Sequence, residues 1–154
     1  MAKDQWRKIW TSVSLSKKLS KVGPIPALLW TWIIPHCDDH GKIQGEAGHV
    51  KALVVPRFKG EEFTEEAVEQ HLMTLHKAEL IDVYIDPEEI GNEKPDHFIF
   101  IRDWYEYQKL QQGKKRAASK LPEMTKDSKL GVNGCNWVYP GVNCRLDKIR
   151  VDKS

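Results

Sequence analysis

Residues 64–101 read TEEAVEQHLMTLHKAELIDVYIDPEEIGNEKPDHFIFI, and the hydrophobic period changes once along them. Thr64 stands in the position of a helix N-cap, and Glu65 and Glu66 follow it into the first turn, where carboxylates meet the positive end of the helix dipole. Ala67, Val68, Leu72 and Leu75, with His71 between them, recur at helical spacing, so residues 64–79 are expected to form a helix with one stripe toward a core. Glu65, Glu66, Glu69, Gln70, Met73, Thr74 and Lys77 are left on the outward side. After Leu80 the period becomes two: Ile81, Val83 and Ile85 alternate with Asp82, Tyr84 and Asp86, as in a strand with one buried face. Residues 87–96 (PEEIGNEKPD) are turn-forming and polar, and FIFI at 98–101 supplies a second strand, which closes a hairpin around a long polar loop.

The flanking sequence extends this pattern in both directions. Upstream, residues 14–19 (SLSKKL) read as a short helix with a serine N-cap, after WRKIW at 6–10, which is either a strand or an anchoring arm. A second helix over about 26–36 has proline in its first turn and is apolar nearly all round, as a helix buried on most sides requires. Asp38-Asp39-His40-Gly41 is a turn in which Gly41 can take a positive φ, and residues 42–44 supply a short strand. Residues 49–55 form a short helix or an extended apolar run. Downstream, Asp103 is placed to cap a short final helix from Trp104. Three core helices with a small strand between the first two, a hairpin wing and an additional C-terminal helix define an α+β class of winged helix-turn-helix plan. Residues 1–112 are read as this domain with its basic N-terminal arm, and residues 113–154, which lose periodicity, as a basic flexible tail anchored at most through Trp137, Val138 and Tyr139.

With 40% hydrophobic and 30% charged residues the composition is that of a globular chain. No run reaches the length of about 18 apolar residues that a membrane helix needs, so no membrane partner is expected. Cys37, Cys135 and Cys144 do not make a disulfide framework and read as free thiols of a reducing cytoplasm. The net charge of +2 conceals a segregation: residues 1–23 carry +5, residues 24–104 carry −9 and residues 105–154 carry +6. His36, Cys37, Asp38, Asp39 and His40 are ligand-type side chains, but Pro35 and the turn that follows splay the two histidines, and no second cluster completes a site. No metal or other cofactor is therefore expected. His71, within the apolar stripe, reads as a core histidine satisfied locally, while His49 and His76 are scattered. No nucleophile–base order, phosphate-cradling glycine loop or paired carboxylates stand in a recognisable context, so catalytic residues are not assigned and the chain reads as a non-enzyme.

The segments SLSKKLSKVGPIPALLWTWIIPHCDDHGKI at 14–43, HVKALVVPRF at 49–58, LHKAELI at 75–81, HFIFIRDWYEYQ at 97–108 and KKRAASKLP at 114–122 resemble bacteriophage replication-initiation and replisome-organiser proteins. These carry an N-terminal winged-helix module of the kind found in DnaD-like primosome components. The resemblance implies a protein of DNA replication, from a phage or prophage, that binds single-stranded or duplex DNA and engages a replication helicase or its loader.

In a winged helix the third helix reads the major groove and the hairpin loop touches backbone. On helix 64–79 only Gln70, Thr74 and Lys77 have side chains suited to base edges or phosphate, and in the loop Glu88, Glu89 and Glu93 outnumber Lys94. The basic arms are the better candidates: Lys109, Lys114, Lys115, Arg116 and Lys120, beside Tyr105 and Tyr107, and then Lys17, Lys18 and Lys21. Two other readings stay open. One is a transcriptional regulator on the same fold. The other is a protein-interaction module, self-associating as a homodimer, that docks through its acidic surface.

Overall fold

The computed structural model describes residues 6–109 and 115–130. Among them five α-helices and a three-stranded antiparallel sheet alternate as α1 (Lys17–Val22), α2 (Pro24–Ile33), β1 (Lys42–Gln44), α3 (Ala47–Val54), α4 (Glu65–Lys77), β2 (Ile81–Ile85), β3 (His97–Ile101) and α5 (Trp104–Tyr107). The fold is mixed α+β. The sheet order is β1–β3–β2, with Ile43 opposite Ile99 and Val83 opposite Ile99 on its other side. No described helix is long and apolar enough to cross a membrane.

The helix ends follow local chemistry. The Ser16 hydroxyl accepts from the Leu19 N–H and starts α1, after a 3-10 turn at Thr11–Leu15. Gly23, at φ 86°, turns the chain into α2, which begins at Pro24 and tightens into a 3-10 turn at Ile34–His36. The Thr64 hydroxyl accepts from the Ala67 N–H, the bond expected of an N-cap. At the other end of α4, Glu79 takes φ 62°, and the Glu79 and Leu80 amides donate to the carbonyls of His76 and Leu75. This is a Schellman closure with a glutamate where glycine is the favoured residue. Asp103 departs from expectation: its backbone is left-handed at φ 60°, its side chain caps nothing, and only its carbonyl receives the amides of Glu106 and Tyr107.

The core gathers Leu29 and Ile33 of α2, Val50 of α3, Val68, Leu72 and Leu75 of α4, and Ile81, Val83, Ile85 and Ile99 of the sheet, all at most 1% exposed. Burial of such a side chain stabilises the fold by about 1.5–3 kcal/mol. Two side chains of α4 differ from the stripe read in the sequence. Met73, expected outward, is buried, and the core histidine is His76, whereas His71 is half-exposed with its Nε2 2.7 Å from the Glu62 carbonyl.

The outer face of β2 is also covered. Asp82 and Tyr84 are both buried, although alternation places them toward solvent. Residues 115–130, read as part of a free tail, run back over the sheet and along the unpaired edge of β2. The Ile85 amide donates to Ser128, the Leu130 amide donates to Val83, and the Tyr84 hydroxyl donates to Pro122. An uncovered strand edge is a template for aggregation, and this strap removes it. His76 ties the strap to the core. The Val83 N–H donates to its Nδ1 at 3.0 Å, so Nε2 carries the proton and donates to the Leu130 carbonyl at 2.9 Å. Burial lowers the His76 pKa, against the opposing effect of its hydrogen bonds.

Candidate nucleic-acid interface

Asp38 and Asp39, in the turn after α2, fasten four segments together. Asp38 Oδ1 accepts from the amides of His40 and Lys42, and Oδ2 from the Ser119 hydroxyl of the strap. Asp39 Oδ1 pairs with Arg7 of the N-terminal arm at 3.1 Å, Oδ2 accepts from the Ala117 amide, and its carbonyl accepts from Trp104 Nε1. The Ala117 N–H and the Arg7 guanidinium hold the Asp39 carboxyl below its ordinary pKa, while partial burial opposes them. Cys37 is fully buried, with its sulfur against the Ile33 carbonyl, and burial pushes its thiol well above the ordinary range. Every oxygen of the two carboxylates is thus used in bonds within the protein. Among the described residues no group of three or more His, Cys, Asp or Glu side chains is placed to hold a metal ion.

Above this junction α5 and the strap present a ring with a cation on its face. Tyr105 is 49% exposed and shares a 2.7 Å hydrogen bond with His40 Nδ1. The Arg116 guanidinium lies 5.0 Å from the Tyr105 ring centre, and its Nη2 donates to the Gln108 carbonyl at 2.6 Å, which anchors it beside the ring. Burial raises the Tyr105 hydroxyl pKa, with Glu123 adding to the effect and Arg116 opposing it. Trp104, beside it in sequence, is core, and Gly41 allows its ring to approach the β1 turn.

The N-terminal arm joins the same side of the molecule. Lys8 and Gln108 exchange two hydrogen bonds, Gln108 Nε2 to the Lys8 carbonyl at 2.6 Å and the Lys8 amide to Gln108 Oε1 at 3.0 Å. Lys8 Nζ donates to the Lys109 carbonyl, and Trp10 Nε1 to the Tyr107 carbonyl. The two basic arms, about 100 residues apart in sequence, therefore meet at α5. Lys109, Lys115 and Lys120 are exposed there, and Lys17, Lys18 and Lys21 are exposed on α1. Lys114 lies outside the described residues, as do Cys135, Cys144 and the Trp137–Tyr139 anchor. Gln70 and Lys77 are exposed on α4, but the Thr74 hydroxyl donates to the Gln70 carbonyl within the helix. The residues that sequence reading did not assign to this surface are Arg7, Lys8 and Gln108. The aromatic–basic character of residues 6–10 is a signal for Arg7 and Lys8, and nothing local marks Gln108.

Compared with known proteins, the chain matches no family model, no curated protein and no solved structure.

Proposed function

We propose that this chain is a winged-helix protein that binds DNA, single strands above all, without catalysis, as part of initiating DNA replication. The observation that carries the reading is the Arg116–Tyr105 pair, an exposed ring and a fixed guanidinium, with exposed lysines and the docked N-terminal arm around it. Rings stack on unpaired bases whatever the sequence, and cations beside them displace condensed counterions from phosphates. The element order and the β1–β3–β2 sheet support the winged-helix assignment, with residues 86–96 as the wing. A replication helicase or its loader is the partner that the sequence resemblance suggests.

A transcriptional regulator would read duplex DNA through α4. That helix begins with exposed Glu65 and Glu66, and its wing carries exposed Glu88 and Glu93 against Lys94, charges that repel phosphate. The surface therefore favours the first reading. Anisotropy titrations with labelled single-stranded and duplex 20-mers at low and moderate salt test it, alongside the triple variant Lys115→Ala, Arg116→Ala, Lys120→Ala. Tighter binding to single strands, weakened in the variant, is expected. Absence of binding at low salt defeats the proposal, and a strong preference for one duplex sequence moves it to the regulator.

A further inference from the structure

Beneath the docked arm lies a cavity of about 290 Å³, enclosed by residues of the arm, α1, α2 and the β3–α5 junction. Trp10 and Tyr107, edge to face at 6.2 Å, are part of its lining and are 48% and 43% exposed, so both rings reach solvent. Trp30 is in the lining as well, and its Nε1 is buried with no hydrogen-bond acceptor among the described residues. Lys8, Lys17 and Lys18 line the cavity against two carboxylates, Glu79 and Asp103, while Arg102 is committed to Asp82 at 2.9 Å.

We infer that this cavity binds one nucleotide, with the base between the aromatic walls and the phosphate against the lysines. Lys8 already donates to the Lys109 carbonyl and Lys18 to the Glu79 carbonyl, but an apolar guest makes no use of their charge, of Lys17 or of the buried Trp30 N–H, and a bare anion leaves three aromatic walls unused. A flat heteroaromatic ring with acceptor atoms and a phosphate meets all three features. Aromatic walls hold bases by stacking. The volume of about 290 Å³ lies just under the range of about 300–1,000 Å³ for ligand pockets, which suits one base rather than a dinucleotide. The carboxylates can accept from an exocyclic amine. The choice of guest rests on the nucleic-acid reading above. The nucleotide comes either from an unpaired position of a strand or from a free monophosphate.

The test uses the full ¹⁵N-labelled chain and follows the indole N–H signals, with that of Trp30 assigned through Trp30→Phe. The probes are dAMP, inorganic phosphate and a single-stranded 12-mer. The expected result is a saturable shift of the Trp30 signal with dAMP and none with phosphate. Trp30→Phe should weaken dAMP binding about tenfold, the equivalent of 1.4 kcal/mol. Trp10→Ala, which removes a half-exposed ring and leaves the core intact, should weaken it several-fold and carries the comparison should Trp30→Phe fail to fold. A Trp30 signal that stays in place at millimolar dAMP, or two variants that bind dAMP as the parent does, overturns the inference. Binding of the 12-mer that falls with the Lys115, Arg116 and Lys120 substitutions, together with dAMP binding that neither Trp30→Phe nor Trp10→Ala weakens, overturns the pocket and leaves the proposed function standing. Binding of dAMP without binding of the 12-mer supports the pocket, with a free nucleotide as its guest, and removes the proposed function.

Discussion

Replacing Gly41 with alanine should damage the fold at the turn against which Trp104 of α5 packs. Gly41 has φ 75°, and a Cβ built on it would lie 2.6 Å from Cγ and Cδ2 of Trp104 and 2.9 Å from its Cβ. Two costs combine. A left-handed backbone costs a residue with a Cβ about 1–2 kcal/mol. Crowding a filled core adds about 1–3 kcal/mol, and Trp104 cannot yield freely because it is 2% exposed with its Nε1 held by the Asp39 carbonyl. The sum, roughly 2–5 kcal/mol, is a large part of the 5–15 kcal/mol typical of a small domain. Gly91 supplies the control: it has φ 96°, and a Cβ added there would meet nothing within 4 Å, so Gly91→Ala carries only the backbone cost. Urea unfolding followed by tryptophan fluorescence measures both. With a slope near 1.5 kcal/mol/M, Gly41→Ala should move the midpoint down by about 2 M, and Gly91→Ala by less than half as much. Equal shifts for the two variants would refute the close packing of Trp104 on the β1 turn.

Three further outcomes follow from the same geometry. Folding lowers the His76 pKa from its ordinary 6.5, and burial lowers that of His97, so in the window just below pH 6.5 the folded chain binds fewer protons than the unfolded one. This stability is present above pH 6.5 and lost as pH falls; urea midpoints at pH 7.5, 6.5 and 5.5 should decline, and His76→Gln should flatten the trend. Glu79→Gly should stabilise the chain by about 0.5–1 kcal/mol, because glycine takes the left-handed position without strain and the ion pair lost to Arg102, at 3.8 Å and exposed, contributes little; a lower melting temperature contradicts the Schellman assignment. Leu130→Ala should cost about 2–5 kcal/mol if the strap is integral to the core, and an unchanged denaturation curve would show that it is not.

Much of the helical part of this fold can be read in the sequence because its signals are local. The threonine before two glutamates, the Val68–Leu72–Leu75 spacing and the serine before Lys17 each fix a helix through bonds made within one turn. The switch at Leu80 from period 3.6 to period 2 marks the hairpin equally well. The second covering of β2 was not legible. Residues 115–130 pair with a strand edge through backbone groups, which leave no side-chain pattern, and Asp82 and Tyr84 kept the polar look of an exposed face. His76 could have been found, since it follows Leu72 by four residues as Leu72 follows Val68, whereas His71 drew attention by its neighbours. The lysines of the candidate surface stand out in the sequence as charge segregation, but the meeting of the two arms at α5 does not. It depends on Gln108 meeting Lys8, a pair of bonds between residues with no sequence relation.

The central claim is that the basic arms, brought together at α5, hold single-stranded DNA. Its most direct test is the salt dependence of binding to a single-stranded 20-mer. Five cations stand at the site: Lys8, Lys109, Lys115, Arg116 and Lys120. If each meets a phosphate, log K should fall with log salt at a slope of about −3.5, and the Lys115, Arg116 and Lys120 triple variant should bring it to about −1.4. A slope near zero, or one that the triple variant leaves unchanged, contradicts the account.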